Sequence, residues 1–325
     1  MENNSGRKYL LPEVASRISN MELRAKAVVE GFMTGLHKSP FHGFSVEFAE
    51  HRQYIPGDDL KFLDWKLYAR TERNYIKRFE EETNLKSYIL LDISKSMDFA
   101  GKKIDAEKKS KGLLKNIFTS KEEALLPAGI TKLQYGSYLA ASLAYLMHGQ
   151  RDATSLTLYD TKIRNYIPAR ATDSNLRKIL IALEKVVSEN ETGTARSLAE
   201  IAEKVKRRGM VIVISDLFDD QKEVLNALRH FKHKKNEIIV FQILDPLEIS
   251  FLDGNPVTLI DSETKEELYS QPASIQKAYR DSIREFTETY RKEFKKNDID
   301  YTMISTETPF DKALYNYLLK RKRMK

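Results

Sequence analysis

Asp92-Ile-Ser94-Lys-Ser96 sets one carboxylate and two hydroxyls at alternate positions, directly after the apolar run Tyr88-Ile-Leu-Leu91. Apolar β-formers followed by small polar residues read as a buried strand and its C-terminal turn. All three side chains are oxygen donors on one short loop, which suits a hard divalent cation. One such loop cannot complete an octahedral shell. Two more loops carry matching donors. Glu191-Thr-Gly193-Thr194-Ala-Arg-Ser197 is a Gly-containing turn that opens a helix, and Ile214-Ser-Asp216-Leu-Phe-Asp-Asp220 follows the apolar run Met210-Val-Ile-Val-Ile214. Thr194 offers a hydroxyl and Asp216 a carboxylate, directly or through water. The expected metal set is therefore Asp92, Ser94, Ser96, Thr194 and Asp216. Mg²⁺ is the expected ion, with Mn²⁺ or Ca²⁺ as alternatives. Singly, each of these residues reads as a cap on a helix N-terminus; as an ordered set they read as a cation site.

Those loops need a scaffold. From Ser87 onward strands and helices alternate: strands at 87–93, 153–159, 210–215, 237–244 and 300–304, and helices at 132–148, 174–187, 195–206, 221–232, 273–296 and 310–320, with a hairpin at 257–269. Such alternation predicts an α/β fold, a mostly parallel sheet with helices on both faces. Ligands of such sheets bind beyond the C-terminal strand ends, where all three donor loops are expected. Residues 13–36 have helical spacing. Phe44-Ser-Val-Glu-Phe48 and Asn74-Tyr-Ile-Lys-Arg-Phe-Glu80 read as two strands of a small accessory sheet. Residues 101–130 hold seven Lys against four acids and read as an insertion beside the site.

Composition narrows the function classes. The 325 residues are 41% hydrophobic and 31% charged, which fits a soluble protein with a packed core. No run reaches the roughly 18–20 apolar residues that span a bilayer. The N-terminal residues lack the apolar core of a secretory signal. The absence of cysteine removes disulfides, thiolate catalysis and Cys-type zinc sites. The expected location is cytoplasmic. The net charge of +7 comes mostly from bases interspersed with acids. The one clear basic cluster, Lys320-Arg-Lys-Arg-Met-Lys325, reads as a solvated C-terminal end. His230 and His233 lie three apart on one helix with no third zinc ligand nearby, so a solvent-facing pair is expected.

In order, Asp92-x-Ser94-x-Ser96, Gly193-Thr194 and Asp216 resemble the metal-ion-dependent adhesion site of von Willebrand factor A domains, over about residues 87–305. The resemblance implies a Rossmann-like sheet, and a metal held by the two serines, the threonine and the acids. It also implies one coordination position left for a partner's carboxylate. Lys95 and Leu217 stand where glycine is frequent in that family. A second resemblance covers residues 38–85. Phe41-His-Gly-Phe-Ser-Val-Glu-Phe-Ala-Glu-His-Arg-Gln-Tyr-Ile-Pro-Gly-Asp-Asp59, then Asp64-Trp65, Tyr68-Ala-Arg70 and Tyr75-Ile-Lys-Arg-Phe-Glu-Glu-Glu82, is similar to bacterial proteins carrying domain of unknown function 58 joined to a von Willebrand A domain. Such proteins are commonly encoded beside MoxR-type AAA+ ATPases, so the resemblance implies an adaptor for such an ATPase.

The expected organisation is a helical segment at 1–37, the accessory β region at 38–86, the A-type domain at 87–308 and a C-terminal helix with a basic tail at 309–325. The expected function is a non-enzymatic, metal-dependent protein-interaction adaptor. Two rivals come from other classes. A phosphohydrolase using Asp92 as nucleophile would want a second Asp at position 94, where Ser94 stands. A nucleic-acid-binding scaffold would rest on the basic tail alone. No phosphate-binding glycine loop occurs, so energy for remodelling would come from a partner. The carboxylates around Trp65 read as architectural.

Overall fold

The computed structural model describes residues 11–37, 51–53, 68–70, 75–77, 85–101, 129–188, 193–251, 257–260 and 267–324. Two short strands, β1 (His51–Gln53) and β2 (Tyr75–Lys77), pair antiparallel. The second lies where a strand was expected, but its partner is 51–53; residues 44–48, the Trp65 block and most of the 101–130 insertion lie outside the described residues.

The main sheet is built around β3 (Lys86–Asp92), which pairs parallel with β4 (Ala153–Tyr159) on one side and β6 (Met210–Ser215) on the other. Beyond β4 the antiparallel strand β5 (Ile163–Arg170) forms one edge. Beyond β6 come β7 (Glu237–Leu244) and β10 (Asp300–Ser305), both parallel. The chain thus builds outward through β4 and β5, returns to the opposite flank of β3, and builds outward again. A third, two-stranded sheet pairs β8 (Val257–Ile260) with β9 (Glu267–Ser270), the hairpin expected from sequence.

The stretches 88–91 of β3, 210–214 of β6 and 238–241 of β7 are apolar without interruption because both faces of the sheet are covered. Side chains alternate between faces with period two. Ile89, Leu91, Ile212, Ile214 and Phe241 point to one face, against α2 (Met21–His37), α3 (Lys132–Gly149), α4 (Asp173–Glu184) and α9 (Asp311–Met324). Leu90, Val211, Val213 and Val240 point to the other, against α5 (Thr194–Lys204), α6 (Gln221–His233) and α8 (Pro272–Lys296). Each fully buried aliphatic side chain contributes roughly 1.5–3 kcal/mol. This is the mostly parallel, von Willebrand A-like sheet with helices on both faces that the sequence predicts. At Gly209 the helix-side loop comes so close to β3 that an added Cβ would lie 2.1 Å from the Lys86 carbonyl oxygen.

Four local readings change. The helix expected over 13–36 is two helices, α1 (Pro12–Ser16) and α2, because Asn20 caps a fresh start: its Oδ1 accepts the Glu22 N–H at 2.7 Å. The Arg24 guanidinium also donates to the Ala15, Ser16 and Ile18 carbonyls at the break. Strand β5 carries no apolar run, since most of its residues face solvent, and Pro168 lies opposite the register shift between Thr154 and Leu156. Proline is tolerated at such edge irregularities. Asp245-Pro-Leu-Glu248, which from sequence reads as a plain turn or an outer support of the site, is a one-turn helix, α7 (Pro246–Ser250), closed by a capping box between Asp245 and Glu248. Finally, Lys320 of the basic cluster is not a solvated end: it is buried, and its ammonium meets Glu237 at 2.9 Å and Asp300 at 3.0 Å.

Candidate metal centre

The strand order reverses between β3 and β6, so the loops leaving these two neighbours diverge and open a crevice at the C-terminal edge. Asp92 is the last residue of β3, and Asp216 is the first after β6. Thr194 is the first residue of α5, whose N-terminus faces the same rim. The 3₁₀ turn Lys95–Asp98 begins at Ser94, and its Met97 is fully buried, which anchors the serine loop to the core.

Asp92 is the hub. Its Oδ1 accepts the Ser94 backbone N–H at 2.9 Å. Its Oδ2 accepts the Thr194 hydroxyl at 3.0 Å and the Ser215 hydroxyl at 2.6 Å. The Ser94 and Ser96 hydroxyl oxygens lie 3.1 Å apart. Asp92, Ser94, Thr194, Ser215 and Asp216 are all fully buried. Burial, followed by the neighbouring Asp216 charge, pushes the Asp92 carboxyl up to about 6, against the opposing hydrogen bonds from Ser215 and Ser94. The Tyr159 hydroxyl, at the end of the adjacent strand, is buried beside Asp92 and Ser215. Burial and then the Asp92 charge hold that phenol well above its ordinary range.

The structure therefore brings Asp92, Ser94, Ser96 and Thr194 into one cluster and sets Asp216 on the same rim. Asp216 has company that the sequence reading did not supply. Its Oδ2 accepts the Lys132 ammonium at 2.7 Å, and its Oδ1 accepts the Phe218 N–H at 3.2 Å. The same ammonium reaches Glu248 Oε1 at 2.5 Å. Burial works to lower the Lys132 pKa, but Asp216 and Glu248 outweigh it and raise it. Burial also raises Glu248, against Lys132. Lys132, Ser215 and Tyr159 are the members that sequence reasoning missed, whereas Glu248 belongs to a turn expected close to the site. One signal was available: a lysine in the first position of a helix opposes the helix dipole, so it needs an acid to hold it there.

The donors fit a hard cation. They are all oxygens, one carboxylate and three hydroxyls, the donor chemistry that a hard cation takes. Two buried acids, Asp92 and Asp216, and the part-buried Glu248 face one buried base, Lys132, so acids outnumber bases at the rim. Among the described residues no group of three or more His, Cys, Asp or Glu side chains forms a metal cage. The His230–His233 pair, in the last turn of α6, accordingly gains no third ligand there.

The sequence matches the family described as "Protein of unknown function DUF58" over residues 50–115 and 113–293. The chain belongs to that family. Relatives 23% identical over 259 residues include uncharacterized proteins of Mycobacterium tuberculosis (strain H37Rv) and Mycobacterium bovis, with 78% of this chain and 72% of theirs covered. Among solved structures, the conserved hypothetical protein BatB of Bacteroides thetaiotaomicron is similar at 14% identity and a TM-score of 0.43, covering 74% of this chain and 99% of that one. A von Willebrand factor type A protein of Catenulispora acidiphila is similar at 11% identity and a TM-score of 0.31, over 50% of this chain and 33% of that one. Likenesses this weak carry no argument about function; the fold rests on the sheet order itself. Among the described residues no helix is long and apolar enough to cross a membrane.

Proposed function

We propose that this DUF58 protein is a non-enzymatic adaptor that takes a divalent cation, Mg²⁺ or Mn²⁺, at the β3–β6 crevice and uses it to bind an acidic side chain of a partner protein. The observation that carries this reading is Asp92: a fully buried carboxylate ringed by hydroxyls at the topological switch point. Asp92, Ser94, Ser96 and Thr194 would hold the ion. Bound there, the ion would supply a positive Lewis-acid centre for a carboxylate from outside. The chain's own groups do the positioning. The Ser94 N–H and the Ser215 hydroxyl orient the Asp92 carboxylate, and the oxygens of Ser94 and Ser96 are held side by side.

No nucleophile–base pair accompanies the cluster among the described residues: Thr194 and Ser215 donate to a carboxylate with no histidine beside it. That favours binding over turnover. The family resemblance at 38–85 supplies the partner class, a MoxR-type AAA+ ATPase acting in the cytoplasm on the assembly or activation of protein complexes. Calorimetric titration of Mg²⁺ or Mn²⁺ into the parent protein and the Asp92→Asn variant tests the reading. We expect a single site in the parent and none in the variant, with both equally folded. Equal affinity in the two removes the metal centre.

A further inference from the structure

Lys132 is an expensive residue to bury. Its side chain is fully shielded, it stands at the positive end of α3, and it lies 4.9 Å from the Phe218 ring centroid. The local structure is built to keep it there. Thr131 caps α3 through a reciprocal box with Gln134, which fixes the helix start one residue before the ammonium. The α7 turn is capped by Asp245 and presents Glu248, whose second oxygen accepts the Asp245 N–H at 2.8 Å. Gln242 Nε2 donates to the Asp216 carbonyl at 2.8 Å and fixes the loop that carries the other acid. Three elements thus converge on one ammonium, and none of these contacts contributes to the Asp92–Ser94–Ser96–Thr194 cluster.

The consequence falls on Asp216. Both its carboxylate oxygens are engaged inside the protein, one by a full positive charge. A charge-paired carboxylate is a poor ligand for a second cation, because the ion would have to displace the ammonium or share its oxygen. We propose that Lys132 is a built-in counter-cation that withholds Asp216 from the metal, so that it determines the affinity of the site and leaves Asp92 as the one carboxylate facing the ion. This rests on the metal reading given above. In this account Lys132 is a positioning residue: it acts on the ion through Asp216 and the local field. A site with one available carboxylate and several hydroxyls keeps its ion loosely enough for a partner's acid to complete it.

The test uses the full chain and Mn²⁺ alone, with free ion read by electron paramagnetic resonance. Four proteins are compared: the parent, Lys132→Met, the double variant Lys132→Met/Asp216→Asn, and Asp92→Asn. Lys132→Met leaves Asp216 charged and unpaired beside the cluster, so Mn²⁺ is expected to bind at least about tenfold tighter than in the parent. The double variant removes the pair together and keeps the net charge, so its affinity stays within about threefold of the parent. Unchanged or weaker binding by Lys132→Met overturns the proposal, and so does loss of binding in the double variant, since Asp216 would then be a ligand in the parent. Should Lys132→Met fail to fold, the neutral double variant decides alone. Asp92→Asn separates the two claims. If it binds Mn²⁺ like the parent, or if neither the parent nor Lys132→Met binds Mn²⁺, the metal reading fails and this proposal goes with it. If only Lys132→Met behaves against expectation, the metal reading stands and the role of Lys132 falls.

Discussion

At the scale of single residues, the Asp92 carboxyl carries a pH signature. Its folded-state value lies near 6, raised from 3.8 by burial and by Asp216. Between those values the folded protein holds a proton that the unfolded chain has released. Stability from this group is therefore greatest below the unfolded value, falls as pH rises through the window, and levels off above it, for a total of about 3 kcal/mol. The difference in unfolding free energy between parent and Asp92→Asn, followed in chelator from about pH 4 to about pH 7, should show that decline. A flat difference would mean that Asp92 is not held in the environment described. Added cation should restore stability only at the upper end, because it competes with the proton for the same carboxylate. Leu217 offers a second test. It stands in the left-handed region at φ 58 with its side chain fully buried. Leu217→Gly relieves roughly 1–2 kcal/mol of backbone strain but gives up a core leucine worth roughly 2–5 kcal/mol, so a net loss of about 1–3 kcal/mol is expected in urea unfolding. Leucine is tolerated in this conformation because its side chain finds a place in the core. Asp92, Ser94, Ser96, Thr194 and Asp216 could be singled out in the sequence because each sits where a strand ends or a helix begins. The meeting of Lys132 with Asp216 and Glu248 could not, because it spans 84 and 116 positions of chain and depends on how α3 and α7 are placed.

At the scale of elements, the buried strands at 210–215 and 237–244 were legible because burial on both faces favours long apolar runs, and 153–159 because its Thr, Leu and Tyr residues suit a strand; all three fall where the sequence puts them. Strand β5 escaped because an edge strand with a solvent-facing side has no such demand on it. Lys320 misled because a basic run reads as solvated until Glu237 on β7 and Asp300 on β10 are brought alongside it. The start of α3 is the element on which the site most depends. Thr131→Ala removes one half of its capping box and should cost about 1 kcal/mol of stability by urea unfolding. A change near zero would show that the helix start is fixed by the Lys132 ion pairs and not by its cap.

At the scale of the whole molecule, the site follows from topology. A parallel sheet that builds outward in both directions from β3 must part its loops between β3 and β6. Such a parting is where open α/β sheets bind their ligands. The sequence places Asp92 and Asp216 on the two sides of that parting, and Thr194 on the helix that faces it. The fold supplies the rest: the Lys132 counter-charge, the Ser215 brace and the buried Tyr159 hydroxyl. The family match, over residues 50–115 and 113–293, joins much of the 38–85 segment to this domain. The central claim is that a divalent cation sits at the parting. It is tested most directly by growing crystals with Mn²⁺ and locating the metal from its anomalous scattering. The account predicts a peak within bonding reach of the Ser94, Ser96 and Thr194 hydroxyls, beside Asp92. Crystals saturated with Mn²⁺ that show those three hydroxyls bonded only to one another, to Asp92 or to water would contradict it.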